Sequence, residues 1–589
     1  MSPTAPQNPP PEGDAGRTDA GPAGQSSRFV GHAVLVSALT LLSRLTGLAR
    51  DAVLAAAFGL STIADAFFIG FLVPNLFRRL FGEGALTAAF IPHYTELRER
   101  DPQLARRFAS LVLTLLTVLL LTITAVAELG LWWLASSLDG EAQGKAALAV
   151  RYTRIMLPYM PLICLVALAG GVLQVHKKFG PPAAAPLVLN GVIIAATAFA
   201  TVGFTRGGDT EHVATIVAFA VLLAGALQLG WQLAAMQRTA GLTRVFEGVG
   251  PQVKAMLIMM GPMVLGLAVF QINALMDSLI AFFLSPPAPG SGGGDGGGGG
   301  ADGPAPLTML GRTFIAPLQN GDVAALQWSQ RLYQFPLGVF GVAIATAIFP
   351  ALSAAAAKVA RVDDDAGDSR AKPQAAGDEF SAILRQGLRL TVFIGLPASV
   401  GLLLVRVPLA RVVYERGAFE TGDALRVATI LAGYATSVWA YSMMHTVTRA
   451  FYALKDATTP LKVSVGMVAL NLTLNLTLIW PLGAAGLAWS TAVSAVAQAG
   501  LLLLLIRRRV DRPIDASVLK SWGRTALASA VMAAALWPAL WWFDPATLSR
   551  TGSALLLAGM TLGGAGVVLA IAKLAGAEEL GWVFRRRSV

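Results

Sequence analysis

Apolar stretches of about 20 residues, separated by short polar segments, run along the chain from residue 30 onwards. Each stretch is long enough to cross a bilayer as a helix, which takes roughly 20 apolar residues. The pattern predicts about fourteen transmembrane helices, and hence an all-α polytopic membrane protein. The predicted spans are 30–58, 62–82, 104–136, 146–175, 181–204, 211–237, 251–284, 322–357, 380–405, 421–453, 459–480, 483–506, 518–543 and 550–574.

Composition supports the same class of protein. The 589 residues are 55% hydrophobic and only 13% charged, and the mean hydropathy is +0.62, which excludes a soluble globular protein. The net charge of +11 does not indicate nucleic-acid binding, because most basic residues fall in alternate short loops, such as those at 176–178 and 507–509. That distribution follows the positive-inside rule, so both termini are predicted in the cytoplasm and the protein in the cytoplasmic (inner) membrane.

Three segments lack the apolar pattern. Residues 1–28 are rich in Pro, Gly, Ala and Ser and contain no signal-peptide core, so they predict a disordered cytoplasmic tail. The Gly-rich run at 286–306 predicts a flexible outer loop, which we place at 285–320. Residues 575–589 are predicted to form a cytoplasmic C-terminal tail.

Short motifs recur along the chain and indicate an internal repeat. TAAFIP at 87–92 returns as ATAIFP at 345–350, and the turn at 176–186 resembles the one at 452–462. These pairs predict a repeat of six helices, whose two copies are related by a pseudo-twofold axis along the bilayer normal. The predicted units are an N-lobe at 29–240 (spans one to six), a C-lobe at 251–507 (spans seven to twelve), and two further helices at 518–574.

Four arginines lie inside segments apolar enough to span a membrane: Arg44, Arg50, Arg78 and Arg331. A guanidinium stays charged there, and a central arginine costs roughly 2.5–3.5 kcal/mol on insertion scales. Each therefore needs an anion or a water-filled cavity. If the four converge between the lobes, they form a cationic chamber that holds a phosphate or diphosphate through forked hydrogen bonds.

A simpler interpretation exists for some of these charges. Arg78 and Arg79 fit the positive cytoplasmic edge, and Arg50 fits a structural ion pair with Asp51 or Asp65. We favour the rim position for Arg79. Glu83, in the motif FGEGA, is predicted as a cap or gate at the cytoplasmic mouth, so Glu83 and Arg79 form the predicted gate.

A second polar group involves three spans of the second half. Asp277 lies in the seventh span, Asn471 and Asn475 lie one turn apart in the eleventh, and Thr491 lies in the twelfth. Their oxygens suit a hard monovalent cation such as sodium. Interhelical hydrogen bonding by the two asparagines is the alternative interpretation.

The sequence offers little support for catalysis. The five histidines show no metal-ligand spacing, and no nucleophile motif or phosphate-binding glycine loop is found. The acidic triplet at 363–365 lies in a polar stretch typical of a solvated linker. The sequence therefore predicts a transporter and not an enzyme, with no cofactor except a possible sodium ion.

Several of these stretches resemble a known family. SRLTGLARDAVLAAAFG at 43–59 and ADAFFIGFLVPNLFRRLFGEGALTAAFIP at 64–92 resemble the N-terminal signature of the MurJ (MviN) family of lipid II flippases. QRLYQFPLGVFGVAIATAIFP, VVYERGAFE and RAFYALKDATTPLKVS are similar to the same family. The resemblance extends from about residue 30 to the C-terminus.

The resemblance implies fourteen helices in the multidrug/oligosaccharidyl-lipid/polysaccharide exporter superfamily, with 518–574 forming a groove for a lipid tail. It implies that lipid II, the lipid-linked peptidoglycan precursor, moves from the cytoplasmic to the outer leaflet by alternating access during cell-wall biogenesis. Family positions for substrate binding fall on Arg44, Arg50, Arg78 and Arg331, and Asp65 matches an acidic position. Membrane lipids and the cell-wall synthesis machinery are the partners implied.

Two departures and three rival functions accompany this interpretation. Some relatives carry an acidic residue where this chain has Gln330, and another where it has Asn475. A drug/cation antiporter would need an acidic or aromatic cavity, whereas a flippase for another polyprenyl-diphosphate-linked oligosaccharide would need the same basic one. A membrane glycosyltransferase acting on lipid II would need a carboxylate on an outer loop, for which Glu415 or Glu420 is the candidate.

Overall fold

A computed structural model describes residues 22–82, 85–137, 144–203, 209–286, 306–309, 312–364 and 371–584. The predicted gate residue Glu83, residues 1–21 of the predicted tail, most of the Gly-rich run and residues 585–589 lie outside this part of the chain. The described helices are α1 Pro22–Phe58, α2 Thr62–Phe77, α3 Ala85–Arg100, α4 Pro102–Ser137, α5 Lys145–Met156, α6 Tyr159–Val175, α7 Gly180–Gly203, α8 Thr210–Thr239, α9 Gly250–Phe283, α10 Asp322–Pro336, α11 Val342–Asp364, α12 Ala371–Tyr414, α13 Thr421–Ala435, α14 Val438–Ala453, α15 Thr458–Leu482, α16 Ala484–Ile506, α17 Ala516–Trp542, α18 Arg550–Leu574 and α19 Glu578–Phe584.

The all-α, multi-pass class predicted from the sequence is confirmed. Within the described residues, nine helical segments are both long and apolar enough to cross a membrane, counting α5 and α6 as one segment. Shorter apolar helices occur at Gln271–Phe283 and Val342–Lys358. The count of fourteen spans stays a prediction.

Two of the predicted spans contain a π-helical turn that the hydrophobic pattern does not reveal. Arg78–Gly82 separates α2 from α3, and Leu337–Gly341 separates α10 from α11. A proline precedes each turn, at Pro74 and Pro336, and removes a backbone donor from its helix. The same interruption thus occurs in the second and the eighth predicted spans.

Two further spans are divided into two helices. The break between α5 and α6 falls at 157–158, where Pro158 explains it. The break between α13 and α14 falls at 436–437, where the residues are Thr and Ser and give no comparable signal. α12, by contrast, continues through two internal prolines, Pro397 and Pro408.

The ends of two predicted segments differ from the structure. α1 begins at Pro22, inside the predicted tail, because proline is favoured in the first helical turn and the apolar run follows closely. The predicted flexible loop at 285–320 ends in an antiparallel hairpin of β1, Pro306–Met309, and β2, Arg312–Ile315. Thr308 pairs with Thr313 in this hairpin, and threonine favours strands.

The helices pack as two groups. α1 packs on α7, α7 on α8 and α2 on α5, while in the second half α12 packs on α14, α13 on α16 and α15 on α16. α17 and α18 pack on each other and on α12, and they keep most of their apolar side chains exposed. Trp541 and Trp542 at the end of α17 are 82% and 78% exposed, as in an aromatic belt at a membrane interface.

Gly486 on α16 permits close packing on α15. An added Cβ there would overlap the carbonyl oxygen of Leu478, whereas a Cβ at Gly500, on the same helix, would meet no atom within 4 Å. We expect G486A to lower the apparent Tm of the purified protein. G500A should leave the Tm unchanged or raise it, since alanine stabilises a helix by about 0.5–1 kcal/mol over glycine. Equal melting of the two variants would contradict this packing argument.

Candidate functional site

A cavity of about 540 Å³ lies between the two groups of helices. Its wall is formed by α1, α2, α6, α7 and α8 from the first half and by α10 from the second. All four of the arginines predicted as a cationic chamber line it. We call it the arginine cavity, and its polar and charged lining residues are Ser43, Arg44, Arg50, Asp51, Asn75, Arg78, Tyr159, Asn190, Gln228, Arg331 and Gln334.

Asp51 holds two of the arginines together across the two halves. Arg50 Nη2 lies 2.6 Å from Asp51 Oδ1, and Arg331 Nε lies 3.1 Å from Asp51 Oδ2. The aspartate side chain is only 5% exposed. The ion pair considered for Arg50 therefore exists, but it is shared with Arg331. With four arginines and one aspartate, 4 − 1, the cavity wall carries a net charge of +3.

Asn190, the one asparagine in the apolar helix α7, fixes the position of Arg50. Its Oδ1 accepts a hydrogen bond from Arg50 Nη1 at 3.1 Å. Its Nδ2 donates to the Ser43 carbonyl at 3.2 Å and to Thr46 Oγ1 at 3.1 Å, both on α1. The Asn190 amide of α7 thus orients the Arg50 guanidinium of α1. Sequence analysis missed this residue, although an asparagine within an apolar span is a usable signal.

Arg44 and Arg78 line the cavity from α1 and from the first π-helical turn. Arg44 has no ion-pair or hydrogen-bond partner within the described part of the chain, and its guanidinium lies directly against Gly338, where a Cβ would overlap it. Arg78 begins the first π-helical turn and donates from Nε to Asn75 Oδ1 at 3.0 Å. The small residue at 338 therefore makes room for Arg44 beside the second π-helical turn.

Arg79, the other described member of the predicted gate, faces away from the arginine cavity. Its Nη1 donates to Gln271 Oε1 on α9 at 3.3 Å. It thus joins the first π-helical turn to the first helix of the second half. Glu83 lies outside the described residues.

Asp65 lies apart from the arginines with which the resemblance grouped it. It is fully buried, and its carboxylate accepts hydrogen bonds from the backbone N–H groups of Gly321 at 2.9 Å and Ala324 at 3.0 Å. Those groups belong to the start of α10, where the helix dipole favours a negative charge. Asp65 therefore caps a helix of the other half and does not line the cavity.

Lys145 also belongs to this buried group, although the predicted spans leave it in the loop between the third and fourth spans. Its Nζ lies 3.6 Å from Asp65 Oδ2 and donates to the Phe282 carbonyl at 3.1 Å and to Ser285 Oγ. Only 6% of Lys145 is exposed. One lysine of the first half therefore also holds the last turn of α9.

The backbones of the two halves touch at the end of the molecule where Asp65 meets the start of α10. Ala418 N donates to the Ala56 carbonyl at 2.8 Å, and Leu60 N donates to Asp423 Oδ2 at 3.3 Å. Gly59 and Gly417 have left-handed φ angles of +54° and +57°, and a Cβ on either would overlap a backbone oxygen of the opposite half. Because neither glycine carries a side chain, the two segments approach each other closely. We call this region, where the two halves meet, the closed end.

The four residues of the predicted sodium site meet inside the second half. Asn475 Nδ2 donates to Asp277 Oδ1 at 2.6 Å, and the side-chain amide of Asn471 lies against both Asn475 and Thr491. The buried Oδ1 of Asn475 has no partner within the described residues. A carboxylate and several neutral oxygens fit a monovalent cation, and the same contacts also serve as interhelical hydrogen bonds.

Comparison with known proteins identifies the family. The family model "Lipid II flippase MurJ" matches residues 54–291 and 305–550. The chain belongs to the MurJ family of lipid II flippases. It is 30% identical over 532 residues to a probable lipid II flippase MurJ of Vibrio cholerae, covering 88% of this chain and 90% of that one. It is 31% identical over 566 residues to one of Rhizobium meliloti, covering 94% and 95%. A lipid II flippase MurJ of Burkholderia cenocepacia is 31% identical over 487 residues, covering 80% and 83%.

Solved structures show the same fold. A lipid II flippase MurJ in an inward-closed conformation aligns with a TM-score of 0.67 at 22% identity, covering 92% of this chain and 98% of that one. An inward-facing multidrug resistance MATE family transporter of the MOP superfamily aligns with a TM-score of 0.55 at 15% identity, covering 82% and 98%. The MurJ family fold is thus related to that of other transporters.

The two departures from the family pattern have clear structural settings. Gln330 donates from Nε2 to the Tyr434 hydroxyl at 3.1 Å, and Asp51 supplies the carboxylate that pairs with Arg331. Asn475 remains beside Asp277 and donates a hydrogen bond to it. Arg331 therefore pairs with a carboxylate of the first half, although residue 330 is not acidic.

G417A tests the closed end, with G576A as its control. Both glycines have left-handed φ angles, +57° and +61°, so alanine costs about 1–2 kcal/mol at either. Only the Cβ at 417 would meet the opposite half. The experiment uses a C164A background with a cysteine placed at the buried Ala55. We expect G417A to accelerate labelling of that cysteine and G576A to leave the labelling rate unchanged. Equal rates in both variants would contradict a seal at Gly417.

Proposed function

We propose that this protein flips lipid II from the cytoplasmic to the outer leaflet of the cytoplasmic membrane, with the arginine cavity holding the diphosphate. The observation that carries the proposal is that one cavity between two helix groups is lined by arginines of both groups and has a net charge of +3. Family membership supports the same cargo. No covalent bond changes in this cycle.

The chemistry of the cavity suits a diphosphate better than other cargo. Guanidinium groups bind phosphate oxygens through two parallel, charge-assisted hydrogen bonds. Among the described residues Arg44 has no competing partner, while Arg50 and Arg331 are held by Asp51. A diphosphate entering the cavity would therefore bind Arg44 directly and displace Asp51 from the other two.

Alternating access would require the closed end to open. In that step the Ala418–Ala56 hydrogen bond, the Leu60–Asp423 contact and the cap that Asp65 provides to α10 all separate, because each joins one half to the other. The released cargo would leave toward the outer leaflet. Its lipid tail would remain in the bilayer beside α17 and α18, whose apolar faces are exposed.

We infer that both termini lie in the cytoplasm. At the end of the molecule opposite the closed end, Arg98 donates to the Val175 carbonyl at 2.9 Å and Arg106 donates to the Leu242 carbonyl at 2.5 Å. Basic residues therefore hold together the ends of helices that the positive-inside pattern assigns to the cytoplasm. The cell-wall synthesis machinery would meet the protein from either face of the membrane.

The glycosyltransferase alternative loses its candidate carboxylates. Arg411 and Thr421 both donate hydrogen bonds to Glu415, the second at 3.0 Å. Glu420 is the N-cap of α13 and forms a capping box with Asp423. Both carboxylates therefore have structural partners. An antiporter for cationic drugs is disfavoured by the basic cavity, whereas a flippase for another lipid diphosphate would share it.

R44A and R331A test the cavity, with R449A as the control. Arg449 lies over the Phe349 ring and does not line the cavity. We expect each cavity variant to insert normally but to reduce outward movement of lipid II at least about tenfold, since a hydrogen bond to a charged group contributes roughly 1.5–3 kcal/mol. An impermeant reagent that modifies outer-leaflet lipid II measures the effect. Normal cell-wall synthesis in cells relying on R44A or R331A would refute the proposal.

We also propose that sodium binds at Asp277, Asn471, Asn475 and Thr491. Sodium should raise the apparent Tm of the purified protein above its value in an equal concentration of choline, because an ion that binds only the folded state stabilises it. D277N should abolish the difference, whereas D456N, at the exposed α14–α15 turn, should retain it. A sodium response that persists in D277N would show that the cluster only joins helices by hydrogen bonds.

A further inference from the structure

Two buried polar atoms on the wall of the arginine cavity have no hydrogen-bond partner within the described residues. They are the hydroxyl of Tyr159 on α6 and the amide oxygen Oε1 of Gln228 on α8. The two side chains are almost fully buried, with 0% and 1% of their surface exposed. Unpaired polar atoms are rare in protein interiors and indicate a missing partner or a function.

Both side chains are held in place by their surroundings. Gln228 Nε2 donates to the Ala185 carbonyl at 2.6 Å, which fixes the amide and leaves its oxygen unpaired. The Tyr159 ring stacks on Phe71, with ring centroids 6.1 Å apart. It also packs so closely on Gly225 that a Cβ there would come within 2.6 Å of the ring. A fixed donor and a fixed acceptor therefore line the same cavity.

The position of this pair suggests which part of a cargo it meets. Tyr159 and Gln228 are uncharged, and they share the cavity with Arg50 and Arg78. Hydroxyl and acetamido groups both donate and accept hydrogen bonds, so a sugar that carries several of them can satisfy both atoms. The diphosphate of the glycosylated lipid is a diester with no donor for Gln228 Oε1, and a prenyl chain satisfies neither atom.

We propose that Tyr159 and Gln228 form a hydrogen-bonding subsite for the sugar that is attached to the diphosphate. This proposal rests on the proposed function and deepens it. The arginines recognise the charge common to all polyprenyl diphosphates, whereas this subsite recognises the loaded, glycosylated form. Both oxygens are covered in the present conformation, so the sugar reaches them only after neighbouring side chains move.

Binding of two probes to Y159F and Q228L tests the subsite. The probes are a polyprenyl diphosphate and the same lipid carrying the disaccharide, titrated onto full-length protein in nanodiscs. We expect each variant to weaken binding of the glycosylated probe about fivefold, in line with the loss of one hydrogen bond. Binding of the bare diphosphate should not change. Y159F removes an oxygen that has no partner in the described part of the chain, so folding should be unaffected.

Two matched variants serve as controls. Q232L lies one turn along α8 and removes a side chain with the same bonding pattern, because Gln232 Nε2 donates to the Pro181 carbonyl at 3.4 Å and its oxygen is unpaired. Y152F removes another buried hydroxyl of the first half, which donates to the Glu211 carbonyl at 3.3 Å. Neither residue lines the arginine cavity. Both controls should bind the two probes like the wild type.

The outcomes separate the subsite from the proposed function. Equal weakening of both probes by Y159F or Q228L, or unchanged binding of the glycosylated probe, would overturn the subsite. If R44A and R331A bind both probes as well as the wild type does, the arginine cavity fails as the diphosphate site. Selective loss of the glycosylated probe, with the controls unchanged, supports the subsite.

Discussion

A guanidinium cannot lose its proton inside a membrane protein, and the rest of this structure follows from that constraint. Arg50 and Arg331 come from different halves, and each is stabilised by the same carboxylate of Asp51. Asn190 supplies the remaining hydrogen bond to Arg50. The free-energy cost of burying these charges is therefore offset by contacts that also join the two halves at the cavity. An anion that binds there would alter these contacts, which links binding to movement of the halves.

The cavity and the closed end hold the halves together by different physical means. At the cavity the contacts are ionic, and in the proposed cycle the anionic cargo replaces Asp51. At the closed end they are backbone hydrogen bonds between segments that approach at Gly59 and Gly417, together with the carboxylate of Asp65 at the start of α10. Asp65 and Asp51 thus lie in consecutive helices, yet one caps a helix and the other neutralises arginines.

Much of the fold could be predicted because a membrane span is a property of about 20 consecutive residues. The four arginines were recognisable for the same reason, since each is anomalous within its own span. Contacts between distant segments were not predictable: the partner of Asp65 is a backbone 256 residues away, and Lys145 looks like an ordinary loop residue. The break at 436–437 has no proline or glycine, and the hairpin after the Gly-rich run depends on pairing that periodicity cannot show.

Asp51 also affects the half of the cycle in which nothing is carried. After release, the cavity must face inward again with its arginines empty, and an internal carboxylate shared by two of them takes the place of the departed anion. The empty carrier then returns with a wall charge of +3, whereas about two negative charges of a diphosphate leave with the loaded one. The wall charges move out and back within one cycle and cancel, so the net transfer is about two negative charges outward. Because the cell interior is electrically negative, the membrane potential favours that transfer by about 2.3 kcal/mol per charge for each 100 mV.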